Sequence, residues 1–115
     1  MMRSTKSQRT RQVCTSVHTI GIAVSYEWDA AKAKANYAKH GVHFADATAV
    51  LEDEFALTMR DPYSQEEERW ITMGEDTLGR ILVVVYAWRG DSVRLISARR
   101  ASTREKKSYE EHDET

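Results

Sequence analysis

The chain has 115 residues, 41% of them hydrophobic and 30% charged, with a net charge of -1. That length suits one domain able to bury roughly 65% of its unfolded surface. The lone Cys14 excludes an internal disulfide or a cysteine metal cluster. No apolar run is long enough for a membrane span, and Thr15, Ser16, His18 and Thr19 break the only stretch resembling a leader, so a soluble cytoplasmic protein with no membrane partner is expected.

In chain order, residues 1–23 read as an N-terminal extension. The MMRSTKSQRTRQ opening has no hydrophobic period, so disorder is expected, although Val13 to Val24 could add an edge strand. Residues 24–112 form the predicted domain, and 113–115 an acidic tail. Tyr26-Glu27-Trp28 is a short strand candidate, followed by Asp29 as N-cap of the alanine-rich AAKAKANYAKH, with Gly41 as its left-handed C-cap. Phe44 to Leu51 carries a second helical period, which makes a helical hairpin. On the first helix Lys32, Asn36, Lys39 and His40 fall within a sector of about 100°. The opposite side carries Ala31, Ala35 and Ala38, small enough to lie against a sheet.

After Glu54 the pattern turns to strands: Phe55 to Arg60, Arg69 to Gly74, Arg80 to Trp88 and Ser92 to Arg99, separated by short turn-forming segments that favour antiparallel neighbours. Ile81 to Trp88 is apolar on both faces and should be central. Ser102-Thr103-Arg104-Glu105 has the spacing of a capping box and opens a last helix to about Glu111. The fold class is therefore α+β, a mainly antiparallel sheet with an N-terminal helical hairpin and a C-terminal helix.

Charge is unevenly placed. Seven basic residues lie between Arg89 and Lys107, against Asp91 and Glu105, and seven acidic ones between Glu52 and Glu68, against Arg60. Such a field suits a protein that meets phosphates on one face, and equally an ordinary solvated surface. The Lys32, Asn36, Lys39 and His40 stripe could hold a phosphodiester and move protons, or could simply be a solvated lysine face ending in a histidine that favours the helix dipole. Arg94, Arg99, Arg100 and Arg104 lie on and after the last strand. Simple alternation puts Arg99 with Val93, Leu95 and Ser97, and Arg94 with Ile96 and Ala98 on the other face, so the two arginines need not act together. They could cradle a phosphate beside a helix N-terminus, or pair with the acidic segment. His18, His43 and His112 are weaker candidates, and Trp28, Trp70 and Trp88 suit a core better than base stacking.

Tyr26-Glu27-Trp28-Asp29, Lys32, Asn36, Lys39-His40-Gly41-Val42 and Phe44 resemble the N-terminal signature of the BrnT toxins. Glu68-Arg69, Gly74, Leu82 to Val85, Ile96-Ser97-Ala98-Arg99, Arg104-Glu105 and Tyr109-Glu110 agree with the rest of that family. The basic, histidine-bearing residues are of a kind that can cleave RNA without a metal or other cofactor, and the resemblance implies a RelE-like α+β fold and a ribonuclease that takes RNA as substrate. It also implies a BrnA-type antitoxin with a ribbon-helix-helix domain, through which the complex reaches operator DNA. On that reading His40, Arg99 and Lys39 are the candidate catalytic residues, and Lys32, Asn36, Arg94 and Arg104 contact the RNA. The competing function is a non-catalytic subunit that acts only as a corepressor with a DNA-binding partner.

Overall fold

A computed structural model describes residues 11–17 and 23–113. The elements run β1 (Arg11–Val17), β2 (Ala23–Asp29), α1 (Ala30–His40), α2 (Phe44–Val50), β3 (Leu57–Arg60), β4 (Trp70–Glu75), β5 (Ile81–Arg89), β6 (Ser92–Arg100) and α3 (Thr103–Asp113). The strands form one six-stranded sheet in the order β1-β2-β6-β5-β4-β3, antiparallel except for the β2–β6 pair. This is the expected α+β architecture, with Ile81 to Trp88 in an interior strand. In the extension, where disorder or an added strand was expected, Arg11–Val17 pairs along its length with β2 as an edge strand. His18 and the last two residues of the acidic tail lie outside the described residues.

Local chemistry accounts for the element ends. The Asp29 carboxylate accepts from the Ala31 N–H at 2.8 Å and the Lys32 N–H at 3.4 Å, and Gly41 closes α1 at φ 70°. The capping box forms as its spacing predicts: the Ser102 N–H donates to Glu105 Oε1 at 2.8 Å, and the Glu105 N–H to Ser102 Oγ at 3.2 Å. The β4–β5 turn is held by the buried Asp76, which accepts from the Leu78 and Arg80 N–H groups and from Arg80 Nε, each at 2.8–2.9 Å. Arg80 also reaches Asp46 on α2 at 3.2 Å and ties the turn to the helical layer.

One sheet face is the core. Val24, Tyr26 and Trp28 from β2, Val93, Leu95 and Ala98 from β6, and Leu82, Val84 and Tyr86 from β5 pack under α1 and α2 against Val42, Phe44, Ala47 and Val50. At roughly 2 kcal/mol per fully buried large side chain, this layer is the main source of stability. Hydroxyls of Thr58, Thr72 and Tyr86 form a chain of hydrogen bonds, each 2.8 Å long, beneath it.

Two expectations about orientation are corrected. Ala31, Ala35 and Ala38 do not lie on the sheet but are exposed; α1 turns Ala33, Asn36 and part of His40 inward. The cause is a vacancy in the strand ladder. β2 pairs with β6 only over Ser92 to Arg94, so beyond that point β6 needs another partner on this side. The Asn36 amide supplies it, accepting from the Ala98 N–H at 3.1 Å and donating to the Ala98 carbonyl at 2.8 Å and the Val42 carbonyl at 3.0 Å. Burying an amide is tolerable when its donors and acceptor are all used.

The second correction concerns β6. Leu95 is opposite Tyr86 but Ser97 is opposite Val85, so Ile96 is an extra, bulged residue. Alternation restarts after it. Val93, Leu95 and Ala98 all face the core, while Arg94, Ser97 and Arg99 share the other face, opposite Ala87, Val85 and Val83. The strict alternation that separated the two arginines fails because one residue is added between them.

Candidate functional site

The sheet face turned away from α1 and α2 carries an apolar floor and a charged margin. In register, Met59, Ile71, Val85 and Ser97 form one cross-strand row, and Leu57, Met73, Val83 and Arg99 the next. Leu57, Met59, Ile71, Met73 and Val83 line a groove of about 250 Å³ whose rim is Glu105 from α3. Met59 is 57% exposed on this floor.

Arg99 meets Glu105 in a two-pronged pair, Nη1 to Oε1 and Nη2 to Oε2, both 2.9 Å, and Nη1 also donates to the Arg100 carbonyl at 3.2 Å. The hydrogen bonds from Arg99 bring the Glu105 carboxyl down to about 2 although partial burial opposes this, with the Ser102 N–H adding to the effect. The same contact raises the Arg99 guanidinium, so both groups are fully ionised at neutral pH. Glu105 therefore serves two ends at once: it completes the cap of α3 and aims the Arg99 fork.

Arg94 is gripped in parallel fashion by Glu67 from the β3–β4 loop. Its Nη2 donates to Glu67 Oε2, while its Nε is buried with no hydrogen-bond partner. α3 is braced from the far side by Tyr109, whose hydroxyl donates to Asp53 at 2.6 Å. Burial opposes ionisation of Asp53, but hydrogen bonds from Tyr109, Glu75 and Phe55 outweigh it and hold the carboxyl below its usual range. Gly74 lies against this junction. A Cβ there would stand 3.0 Å from Asp53 Oδ2 and 3.1 Å from the Val50 carbonyl.

The candidate residues are thus divided. Arg94 and Arg99 emerge on the same open face, four β5 residues apart in register, with Arg104 exposed on the first turn of α3. Lys32 and Lys39 are exposed on the flank of α1, and His40 is half-buried at its end. Through the Asn36 bonds to Ala98, that end of α1 is anchored to the edge of β6 one residue before Arg99. Asn36 itself has no free polar group to offer a ligand. The Arg94–Glu67 pair is the ion pair with the acidic segment that the sequence left open, whereas Arg99 pairs with Glu105, which the sequence signals only as a cap. Trp28 is core, edge-on to Phe44 at 6.0 Å, whereas Trp88 is 52% exposed. Among the described residues, no three His, Cys, Asp or Glu side chains converge as a cation site would require. No helix there is long and apolar enough to cross a membrane.

Residues 28–105 match the model of the BrnT family, ribonuclease toxins of type II toxin-antitoxin systems. The chain belongs to this family. Its structure is similar to the crystal structure of the Brucella abortus ribonuclease toxin BrnT, with a TM-score of 0.51 and 30% identity, over 66% of this chain and 94% of that one. No curated protein matches. The BrnT match runs from Trp28 at the end of β2 to Glu105 in α3, so it includes both guanidinium-carboxylate pairs of the open face.

Proposed function

We propose that this BrnT family member is a metal-independent endoribonuclease whose reaction centre is at the Arg99 end of the open face. The observation that carries the reading is the bulge at Ile96, which sets Arg94 and Arg99 on one surface within the family-matched segment. RNA lies along β6 with its phosphates toward these guanidiniums. The 2'-oxygen of one nucleotide attacks the adjacent phosphorus, the bond to the 5'-oxygen breaks, and a 2',3'-cyclic phosphate and a 5'-hydroxyl result. Arg99, already oriented by Glu105, stabilises the charge that builds on the phosphorane. His40, at the end of α1 that Asn36 ties to Ala98, is the residue assigned to exchange the protons, with Lys39 next to it in the chain. Lys32, Arg94 and Arg104 hold the backbone as point and forked charges. Asn36, with its amide fully engaged, positions the α1 end rather than touching RNA.

In the cell a BrnA-like antitoxin with a ribbon-helix-helix domain neutralises the toxin by covering the open face, and operator DNA is reached through that complex. The exposed Met59 and the groove beside it supply the apolar part of such an interface. The deciding experiment is cleavage of RNA by purified protein in excess chelator. Parent protein cuts, and Arg99→Ala loses about 100-fold or more in rate, the usual scale for removing a group that stabilises transition-state charge. Loss of parent activity in chelator would overturn the metal-independent mechanism, and full activity of His40→Ala would remove that residue from it. Growth arrest on expression alone, relieved by the antitoxin, excludes a pure corepressor.

A further inference from the structure

Glu67 is the centre of a cluster of which the reading above uses only Arg94, as a backbone contact. Arg94 and Ala87 are register partners, and Arg69 directly precedes Trp70, the partner of Tyr86, so Arg94, Ala87 and Arg69 make one row across the open face. Between them Ala87 is small and buried, 1% exposed, and both arginines act on the Glu67 carboxylate. Arg89 at the end of β5 is close enough to add to their effect on the Glu67 carboxyl, which stays ionised well below its ordinary range chiefly through Arg94. Its neighbours Glu66 and Glu68 do not contact Arg94; Glu68 instead pairs with Arg60 at 3.3 Å. Beside Glu67 a polar cavity of about 230 Å³ is lined by Tyr63, Gln65, Glu66 and Arg69.

Resting on the ribonuclease reading above, we propose that Arg94, Arg69 and Arg89 form a phosphate-binding subsite for RNA, and that Glu67 fills it as an internal anion until RNA displaces it. Two observations go beyond charge. The buried Nε of Arg94 lacks an acceptor because Glu67 takes only Nη2, and a phosphate can accept from both edges of a guanidinium fork at once. The occupant can also be displaced: Glu67 belongs to a loop and is 39% exposed, so its carboxylate can return to water, whereas Arg94, 17% exposed, stays in the sheet. Glu27 of β2 is the register partner of Arg94 on the other side. Along β5 the row at Ala87 is four residues from that at Val83, roughly 13 Å. The subsite therefore takes a phosphate other than the one at Arg99.

The test uses the full chain and a fluorescent 2'-O-methyl RNA oligonucleotide, which lacks the nucleophile and is not cut, with affinity read by anisotropy over a salt series. Glu67→Gln is expected to bind roughly three- to fivefold tighter, with the salt dependence steeper by about 0.7, one phosphate contact on a single strand. Measured against Arg94→Gln alone, adding Glu67→Gln to it gives no gain, and Glu54→Gln, which removes the same charge from the exposed α2–β3 linker, does not reproduce the gain. Binding by Glu67→Gln no tighter than by Glu54→Gln overturns the subsite, as does a gain that persists in the double variant. Cleavage of unmodified RNA is followed in parallel. If RNA is cut while Glu67→Gln binds like the parent, the subsite fails and the ribonuclease reading stands. If the gain appears but RNA is not cut, the subsite stands and the ribonuclease reading fails.

Discussion

Replacing Asn36 by alanine separates an anchoring role from a ligand-contacting one. The side chain is 7% exposed, and its amide makes three hydrogen bonds across the gap between α1 and β6. Each such bond contributes about 1 kcal/mol net, and the Ala98 N–H, left buried without an acceptor, adds roughly 1 kcal/mol or more. The substitution gains a few tenths from the helix propensity of alanine. The balance is a loss of about 3 kcal/mol, which for a domain of this size lowers Tm by roughly 12–24 °C. Urea unfolding followed by circular dichroism gives the free energy directly, and thermal melting the shift in Tm. RNA binding per folded molecule, measured below the transition, should change little. A stability change under 0.5 kcal/mol together with a large loss of RNA affinity would refute the reasoning and put Asn36 in the binding surface.

Other outcomes follow from the α3 brace and the Arg99 clamp. Gly74→Ala forces a methyl against Asp53 and the Val50 carbonyl and should cost about 1–3 kcal/mol of stability in denaturant titration, although alanine is otherwise a better strand residue. The acid limb of the stability curve should report Glu105. Its carboxyl titrates at about 2 in the fold against an ordinary 4.5, so its contribution is complete above pH 4.5 and is lost as pH falls toward 2. The full shift corresponds to about 3 kcal/mol, but with 33% of the side chain in solvent about 1 kcal/mol survives screening. Glu105→Gln should therefore be less stable than the parent at pH 7 and approach it near pH 2; parallel curves for the two proteins would contradict the assignment.

What could be read from the sequence was what depends on near neighbours along the chain. Asp29, Gly41 and the Ser102 to Glu105 box act within a few residues, and each forms as its spacing predicts. The strands after Glu54 are set apart by turn formers, and Ile81 to Trp88 is apolar enough to mark an interior strand. The facing of α1 was not legible, because Ala31, Ala35 and Ala38 suit a packed face as well as Ala33 does. Reading Asn36 as a surface group follows from the cost of burying an amide, and only the β6 backbone, 62 positions away, removes that cost. Glu105 was legible as a cap but not as the partner of Arg99, and the acidic segment was legible as a partner for the arginines but not which of its acids Arg94 would meet.

The bulge in β6 has a consequence for how this surface can change. A substitution alters what a side chain is, but the sheet face on which Arg94 emerges is decided by counting residues. Had β6 lacked Ile96 while keeping its pairing from Ser97 onward, every residue from Ser92 to Leu95 would be reversed, sending Arg94 toward the core and Leu95 into solvent. Gain or loss of one codon there would accomplish what no series of point changes could. The binding surface and the core are therefore coupled at this position by chain length, and neither can be redrawn without the other.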